Sequence, residues 1–142
     1  MIGLISDTHG LLRPGAVDAL RNCELIIHAG DVGRPEVLDE LRAVAPVVAV
    51  RGNVDHGAWA DRLPETVVAG NIFVIHDAKQ LEQVPPGCDI VVSGHSHKPG
   101  QQERGGILYI NPGSAGPRRF HLPITVARLY PDRRVEFVEL AP

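Results

Sequence analysis

Three short runs rich in isoleucine, leucine and valine, at residues 2–6, 25–29 and 47–50, most constrain what this chain can become. Each has the length of a strand and is apolar nearly throughout rather than alternating, as buried strands are. Between them, segments 14–21 and 35–44 show helical spacing, and each opens on a proline, Pro14 and Pro35, at the first-turn position that proline tolerates. Val37, Leu41 and Val44 can share one helix face. Strand, helix, strand, helix, strand is the signature of a parallel α/β sheet.

The second half changes character. Segments 66–69 and 71–75 flank Gly70 and predict a tight hairpin, or one strand bent at the glycine. Residues 78–84 predict a short helix, and 89–93 and 107–110 further strands. Segments 123–130 and 133–140 alternate around Pro131-Asp132 and predict a terminal hairpin. With no repeat, low-complexity tract or linker, the expectation is one domain over residues 1–142. Its fold class would be α/β, a two-sheet β-sandwich flanked by helices with a C-terminal β-hairpin.

Composition narrows the function. Of 142 residues 44% are apolar and 22% charged, a globular balance that favours neither disorder nor a bilayer. A formal charge of −3 gives no basic footprint, so stable nucleic-acid binding is not expected. The N-terminal apolar run is too short for a signal peptide and no run could span a membrane, which predicts a cytoplasmic protein. Cys23 and Cys88 form no metal or disulfide framework and read as buried thiols. The sequence leaves self-association open.

Chemistry-bearing residues gather where apolar runs stop. Asp7 and His9 follow the first run, His28 and Asp31 close the second, and Arg51 to Asn53 follow the third. His76 and Asp77 follow segment 71–75, and His95 and His97 follow segment 89–93. Ligands bind at the carboxyl ends of strands in such sheets, so five segments would converge on one crevice. Asp7 and His9, like His95 and His97, are spaced i and i+2, which would put each pair on one side of an extended segment. Four imidazoles with two carboxylates and the Asn53 amide suit two divalent first-row metals better than calcium or magnesium.

Asp7-Thr8-His9-Gly10, Gly30-Asp31, Gly52-Asn53, His76 and Gly94-His95-Ser96-His97 together resemble, in order, the calcineurin-like metallophosphoesterases. With Asn111-Pro112-Gly113-Ser114, the pattern is similar to the small prokaryotic phosphodiesterases and the related retromer subunit. The resemblance implies that Asp7, His9, Asp31 and His97 hold one metal, and Asp31, Asn53, His76 and His95 a second, with Asp31 bridging. It implies a phosphoesterase, a phosphodiesterase ahead of a monoesterase, whose nucleophile is a hydroxide between the metals. Asp31, Asn53 and His76 would hold that nucleophile and position the phosphate of a small phosphodiester. Manganese is the expected metal, with zinc, iron, cobalt or nickel as alternatives. The other class of function is a catalytically inactive interaction scaffold of the same fold, as the retromer subunit is generally taken to be. Its bridging position is not aspartate, whereas Asp31 is present here.

Several residues stay open at this level. His28 is expected to support a ligand rather than to be one. Arg51 faces either the phosphate or a surface carboxylate, and Arg118, Arg119 and His121 read as a solvated loop ahead of the alternative that they line the pocket rim. Asn111-Pro112-Gly113-Ser114 reads as a β-turn. Trp59 fits core, pocket wall or subunit contact. The resemblance breaks at Asp77-Ala78, where many relatives carry glycine and a second histidine, and at Val54, where larger phosphatases carry a histidine credited with protonating the leaving group.

Overall fold

The computed structural model of the chain describes residues 1–142 and contains two five-stranded sheets. The first half forms β1 (Ile2–Ile5), α1 (Pro14–Ala19), β2 (Leu25–His28), α2 (Pro35–Arg42), β3 (Val47–Ala49) and α3 (Ala58–Asp61). The second forms β4 (Thr66–Ala69), β5 (Ile72–Ile75), β6 (Ile90–Val92), β7 (Gly100–Arg104), β8 (Ile107–Asn111), β9 (Thr125–Leu129) and β10 (Val135–Glu139). One sheet runs β10-β9-β1-β2-β3 and the other β4-β5-β6-β8-β7. In each the three central or successive strands, β1-β2-β3 and β5-β6-β8, are parallel, and the remaining strands pair antiparallel. The terminal hairpin β9-β10 joins the first sheet alongside β1.

Strand periodicity divides the apolar residues among three layers. Leu4, Ile27, Ile72, Val74, Ile90, Val92, Leu108 and Ile110 fill the space between the sheets. Burial of each such side chain stabilises by roughly 1.5–3 kcal/mol. Ile5, Ile26 and Val126 face the other way and pack with Leu20, Val37, Leu38 and Leu41 of the helical layer. Phe73, Ile75 and Val91 form the outer face of the second sheet with Cys88, Leu81 and Val84.

That last layer corrects the expectation of a helix over residues 78–84. Only Ala78–Gln80 turns, as a single 3-10 turn capped by Asp77, whose side chain accepts from Lys79 N–H at 3.0 Å. Leu81 then returns to extended backbone, and Leu81 and Val84 cover the sheet from an irregular segment ahead of Pro85-Pro86. Helices therefore flank the first sheet, while the second is covered by a loop. Two elements carried no apolar signal: α3, four residues after Gly57, and β7, an edge strand exposed along its whole length. The hairpin through Gly70 forms as expected, with Ala69 opposite Ile72. Cys23 and Cys88 are buried free thiols, and no helix is long and apolar enough to cross a membrane.

Candidate metal centre

β1, β2, β3, β5 and β6 deliver their following loops to one end of the sandwich. Asp7 lies two residues past β1, Asp31 three past β2, and His76 directly after β5. Asp7, His9 and His97 offer ligand atoms within 4.8 Å of one another, and so do Asp31, His76 and His95. Asp7 Oδ1 lies 3.3 Å from His97 Nε2 and 3.8 Å from His9 Nε2. Asp31 Oδ2 lies 3.6 Å from His9 Nε2 in the first group and 3.3 Å from His76 Nε2 in the second. It is the carboxylate shared between them. Asn53 joins the second group, its Oδ1 3.0 Å from His76 Nε2 and 3.2 Å from His95 Nδ1.

The local geometry corrects one expectation. Asp7, His9, His95 and His97 all have φ between 48° and 73°, in the left-handed region rather than along an extended segment. Asp7 and His9 serve one group, but His95 and His97 part to opposite groups. Asp31 shares the same strained conformation, with φ 55°. Such strain persists where surrounding contacts over-determine it, and it clusters at functional sites.

Those contacts are explicit. Ser6 Oγ and the His95 backbone N–H both donate to Asp7 Oδ2, at 2.6 and 3.1 Å, leaving Oδ1 facing the cluster. Val54 N–H donates to Asp31 Oδ1 at 3.1 Å, leaving Oδ2 to face His9 and His76. Buried Asp55 accepts from Val32, Gly33 and Gly52 N–H, tying the Asp31 loop to the Asn53 loop. At Gly52 a Cβ would collide with the Asp31 backbone and carboxylate, and at Gly94 with Ser6 Oγ and Asp7 Oδ2. The expected β-turn at Asn-Pro-Gly-Ser is not formed: Asn111 ends β8, its Oδ1 accepts from Gly113 N–H at 2.9 Å, and Ser114 bridges to Ile124, with φ 83° at Gly113. The Asn111 amide donates to Gly94 O and Ser96 Oγ, and Ser114 Oγ donates to Asp7 O. Ser6, Asp55, Asn111 and Ser114 thus set the ligand loops, which spacing alone did not reveal.

His28 stands behind the centre. Strand parity places it on the helix-side face of β2 with Ile26. Gly30 N–H donates to His28 Nδ1 at 3.1 Å, which leaves the proton on Nε2 to donate to Thr8 Oγ1 at 3.0 Å. Thr8 Oγ1 in turn donates to Val32 O. Complete burial pushes the His28 pKa down to about 4 despite the nearby Asp7 and Asp55.

The donor chemistry fits cations. His76 Nδ1–H donates to Ala29 O at 2.7 Å, so Nε2 turns a lone pair on the Asp31 carboxylate and Asn53. Burial lowers the His76 pKa, but the Asp31 hydrogen bond and charge outweigh it and the net shift is upward. Burial likewise raises Asp31, yet His76 and the Val54 N–H prevail and bring it to about 2. A proton is thus drawn to the place where several acceptors meet, as a metal would be. Buried Asp7 Oδ1 and His9 Nε2 have no hydrogen-bond partner, as is expected of groups that meet an ion or a water. With its nitrogen turned inward Asn53 could instead donate to both Asp31 oxygens at 3.3 Å; a cation favours the oxygen inward.

A cleft of about 590 Å³ opens beside the second group. Asn53, His76 and His95 form part of its wall, with Arg51, His56, Asp61, Glu65 and Asp77 around them, and Ile75 is its one hydrophobic liner. Arg51 is held by Glu65 Oε1 at 3.1 Å and Leu63 O at 3.3 Å. Arg118 donates to Leu122 O within an exposed loop that also carries Arg119 and His121. Trp59 packs partly buried against the helical core and does not line that cleft.

The chain matches the calcineurin-like phosphoesterase superfamily domain over residues 1–134. It is 39% identical over 131 residues to a probable metallophosphoesterase of Methanothermobacter thermautotrophicus, covering 80% of this chain and 76% of the relative. Its fold is similar to that of a novel archaeal phosphodiesterase, with a TM-score of 0.83 at 24% identity, over 98% of this chain and 99% of that one. The zinc complex of Vps29 from Entamoeba histolytica has a TM-score of 0.68 at 23% identity, over 98% and 97% of the two chains. Residues, fold and relatives agree: the chain belongs to the calcineurin-like phosphoesterase superfamily.

Proposed function

We propose that this chain is a two-metal phosphodiesterase. The observation that carries the reading is the Asp31 carboxylate lying between two donor groups while Asp7 Oδ1 and His9 Nε2 have no partner. Asp7, His9, Asp31 and His97 would hold one cation, and Asp31, Asn53, His76 and His95 the other. When bound, such a pair activates a water and neutralises charge on the phosphoryl oxygens. The chain's own part is to fix these seven side chains before substrate arrives. Two carboxylates against two dications leave the centre positive, which attracts a phosphate diester anion.

Leaving-group protonation has no assigned donor. Val54 has no proton to give, and the Asp55 carboxylate is taken up by three backbone N–H groups. His56 is exposed on the cleft wall. The reading as one domain and as a cytoplasmic enzyme stands with this proposal, and manganese is its favoured metal. No observation favours the scaffold reading, since likeness to Vps29 at this identity concerns the fold alone. The test is to strip the chain with chelator and return metals singly, following bis(p-nitrophenyl) phosphate. Two ions per chain and restored turnover, best with manganese, are expected. Uptake of no more than one ion at saturation refutes the two-metal reading.

A further inference from the structure

Each histidine of the second group has one nitrogen toward the cluster and one away from it. For His76 the outer nitrogen is fixed by the backbone, through Nδ1–H to Ala29 O, and the ring is buried. His95 has no such backbone partner. Its Nδ1 faces Asn53 Oδ1 at 3.2 Å, its side chain is 46% exposed, and its Nε2 points out toward the cleft. The group facing that nitrogen is Asp77, whose Oδ2 lies 3.9 Å from Nε2. Asp77 is itself anchored. Its Oδ1 accepts from Lys79 N–H in the 3-10 turn, so the second oxygen is presented toward His95.

A metal-binding imidazole gains orientation, a fixed tautomer and basicity when its other N–H meets a carboxylate. The half-exposed His95 needs that constraint more than buried His76, because an ordered exposed side chain forfeits rotamer freedom. We propose that Asp77 is a positioning residue, its carboxylate orienting His95 with the Nε2 proton outward and Nδ1 toward the cation shared with Asp31, Asn53 and His76. This rests on the two-metal reading. At 3.9 Å the pair lies beyond hydrogen-bond reach, and the proposal requires that it close when His95 takes up its cation. The residue that breaks the family resemblance after His76 thereby acquires a use specific to this chain.

The test is calorimetric titration of the chelator-stripped chain with Mn²⁺ alone, for wild type, Asp77→Asn and Asp77→Glu. Asparagine can still accept from Lys79 N–H, so the turn is kept while the negative charge is lost. Wild type should bind in two steps. In Asp77→Asn one step should be unchanged and the other weaker by about 10–100-fold, the usual loss for an outer carboxylate partner. Asp77→Glu should recover part of that loss. The Mn²⁺ concentration for half-maximal turnover should shift by the same factor, with turnover at saturating Mn²⁺ restored. Two wild-type steps that both persist within about twofold in Asp77→Asn overturn the inference alone. Equal weakening of both steps with a lower melting temperature also overturns it, since Asp77 would then act through the fold. A single step in wild type instead refutes the two-metal reading beneath it.

Discussion

Asp7, His9 and His97 lie under loops held from several sides, whereas Asn53 and His95 stand exposed at the mouth of the cleft. In the enclosed half, Ser6, His95 N–H and Ser114 fix Asp7 through three separate contacts. In the open half, His76 is fixed by the backbone but Asn53 and His95 have little around them. The contrast assigns different work to the two sides. On the two-metal proposal, the enclosed half would preset geometry, and the open half would give the substrate its approach and lose its cation first. Asp31 belongs to both, and its Oδ1 is held only by Val54 N–H.

The largest expected effect comes from removing what the halves share. On the two-metal proposal, Asp31→Asn would deprive both groups of a bridging anion and leave two dications repelling each other. It should lose at least one metal and nearly all turnover, well beyond the roughly 10–100-fold typical of an outer partner. The fold should survive, because Asp31 lies in a loop past β2. Metal content by emission spectroscopy and turnover of an aryl diester check this. Near-normal turnover would mean that the halves are independent.

The next effect probes the open half alone. A positioned general acid contributes a factor of about 100 to 10,000 when a poor leaving group departs. With Val54 inert and Asp55 engaged by backbone, turnover should fall steeply with leaving-group pKa across aryl and alkyl methyl phosphates. His56→Ala should change that slope little. A flat series, or a slope that steepens in His56→Ala, would identify an acid in the cleft.

The same contrast shows what could be read from the sequence. The convergence of the candidate ligands was legible because each follows an apolar strand run, and a strand end places its next residues with little freedom. Their conformation was not: the i, i+2 spacing suggested extended segments, while contacts distant in sequence hold Asp7, His9, His95 and His97 in the left-handed region. The hairpin at Gly70 was legible through its glycine, and the terminal β9-β10 pair through alternation. Gln101, Gln102 and Glu103 gave no such signal, because an exposed edge strand buries nothing, and α3 is too short for a periodic one. At residues 78–84, Leu81 and Val84 mimicked helical spacing although they pack from an irregular loop. Asp55 was visible only as a neighbour of Asn53, since its partners are backbone groups.

His28 supports both halves from behind, so its ionisation should loosen them together. Its folded pKa of about 4 lies below the ordinary 6.5, so between those values the unfolded chain binds more protons. Stability therefore falls as pH drops from 6.5 toward 4, by about 3 kcal/mol from this residue. In the metal-free chain His9, also lowered, acts in the same direction, while His76, raised, contributes stability that is lost only as pH rises above 6.5. Asp31, near 2, stays ionised across this window. Urea midpoints of the metal-free chain at pH 7 and 4.5, compared with those of His28→Gln, isolate the His28 part. An equal pH dependence in both chains would remove His28 from the account.

The smallest effect is expected at Arg51, the cation closest in sequence to Asn53 and a liner of the open cleft. Its guanidinium donates to Glu65 and to Leu63 O along the wall. The Glu65 pair is largely exposed on the carboxylate side, and such pairs contribute about 0–1 kcal/mol. Arg51→Ala should therefore barely alter the melting temperature. If the wall contacts also describe the enzyme at work, kcat/KM for a small diester should fall no more than about fivefold, the equivalent of 1 kcal/mol. Both metals should remain, because no ligand depends on this side chain. A loss of 100-fold in kcat at unchanged metal content would show that Arg51 leaves Glu65 and reaches the phosphoryl group in the transition state. The open half would then supply charge to the reaction as well as access.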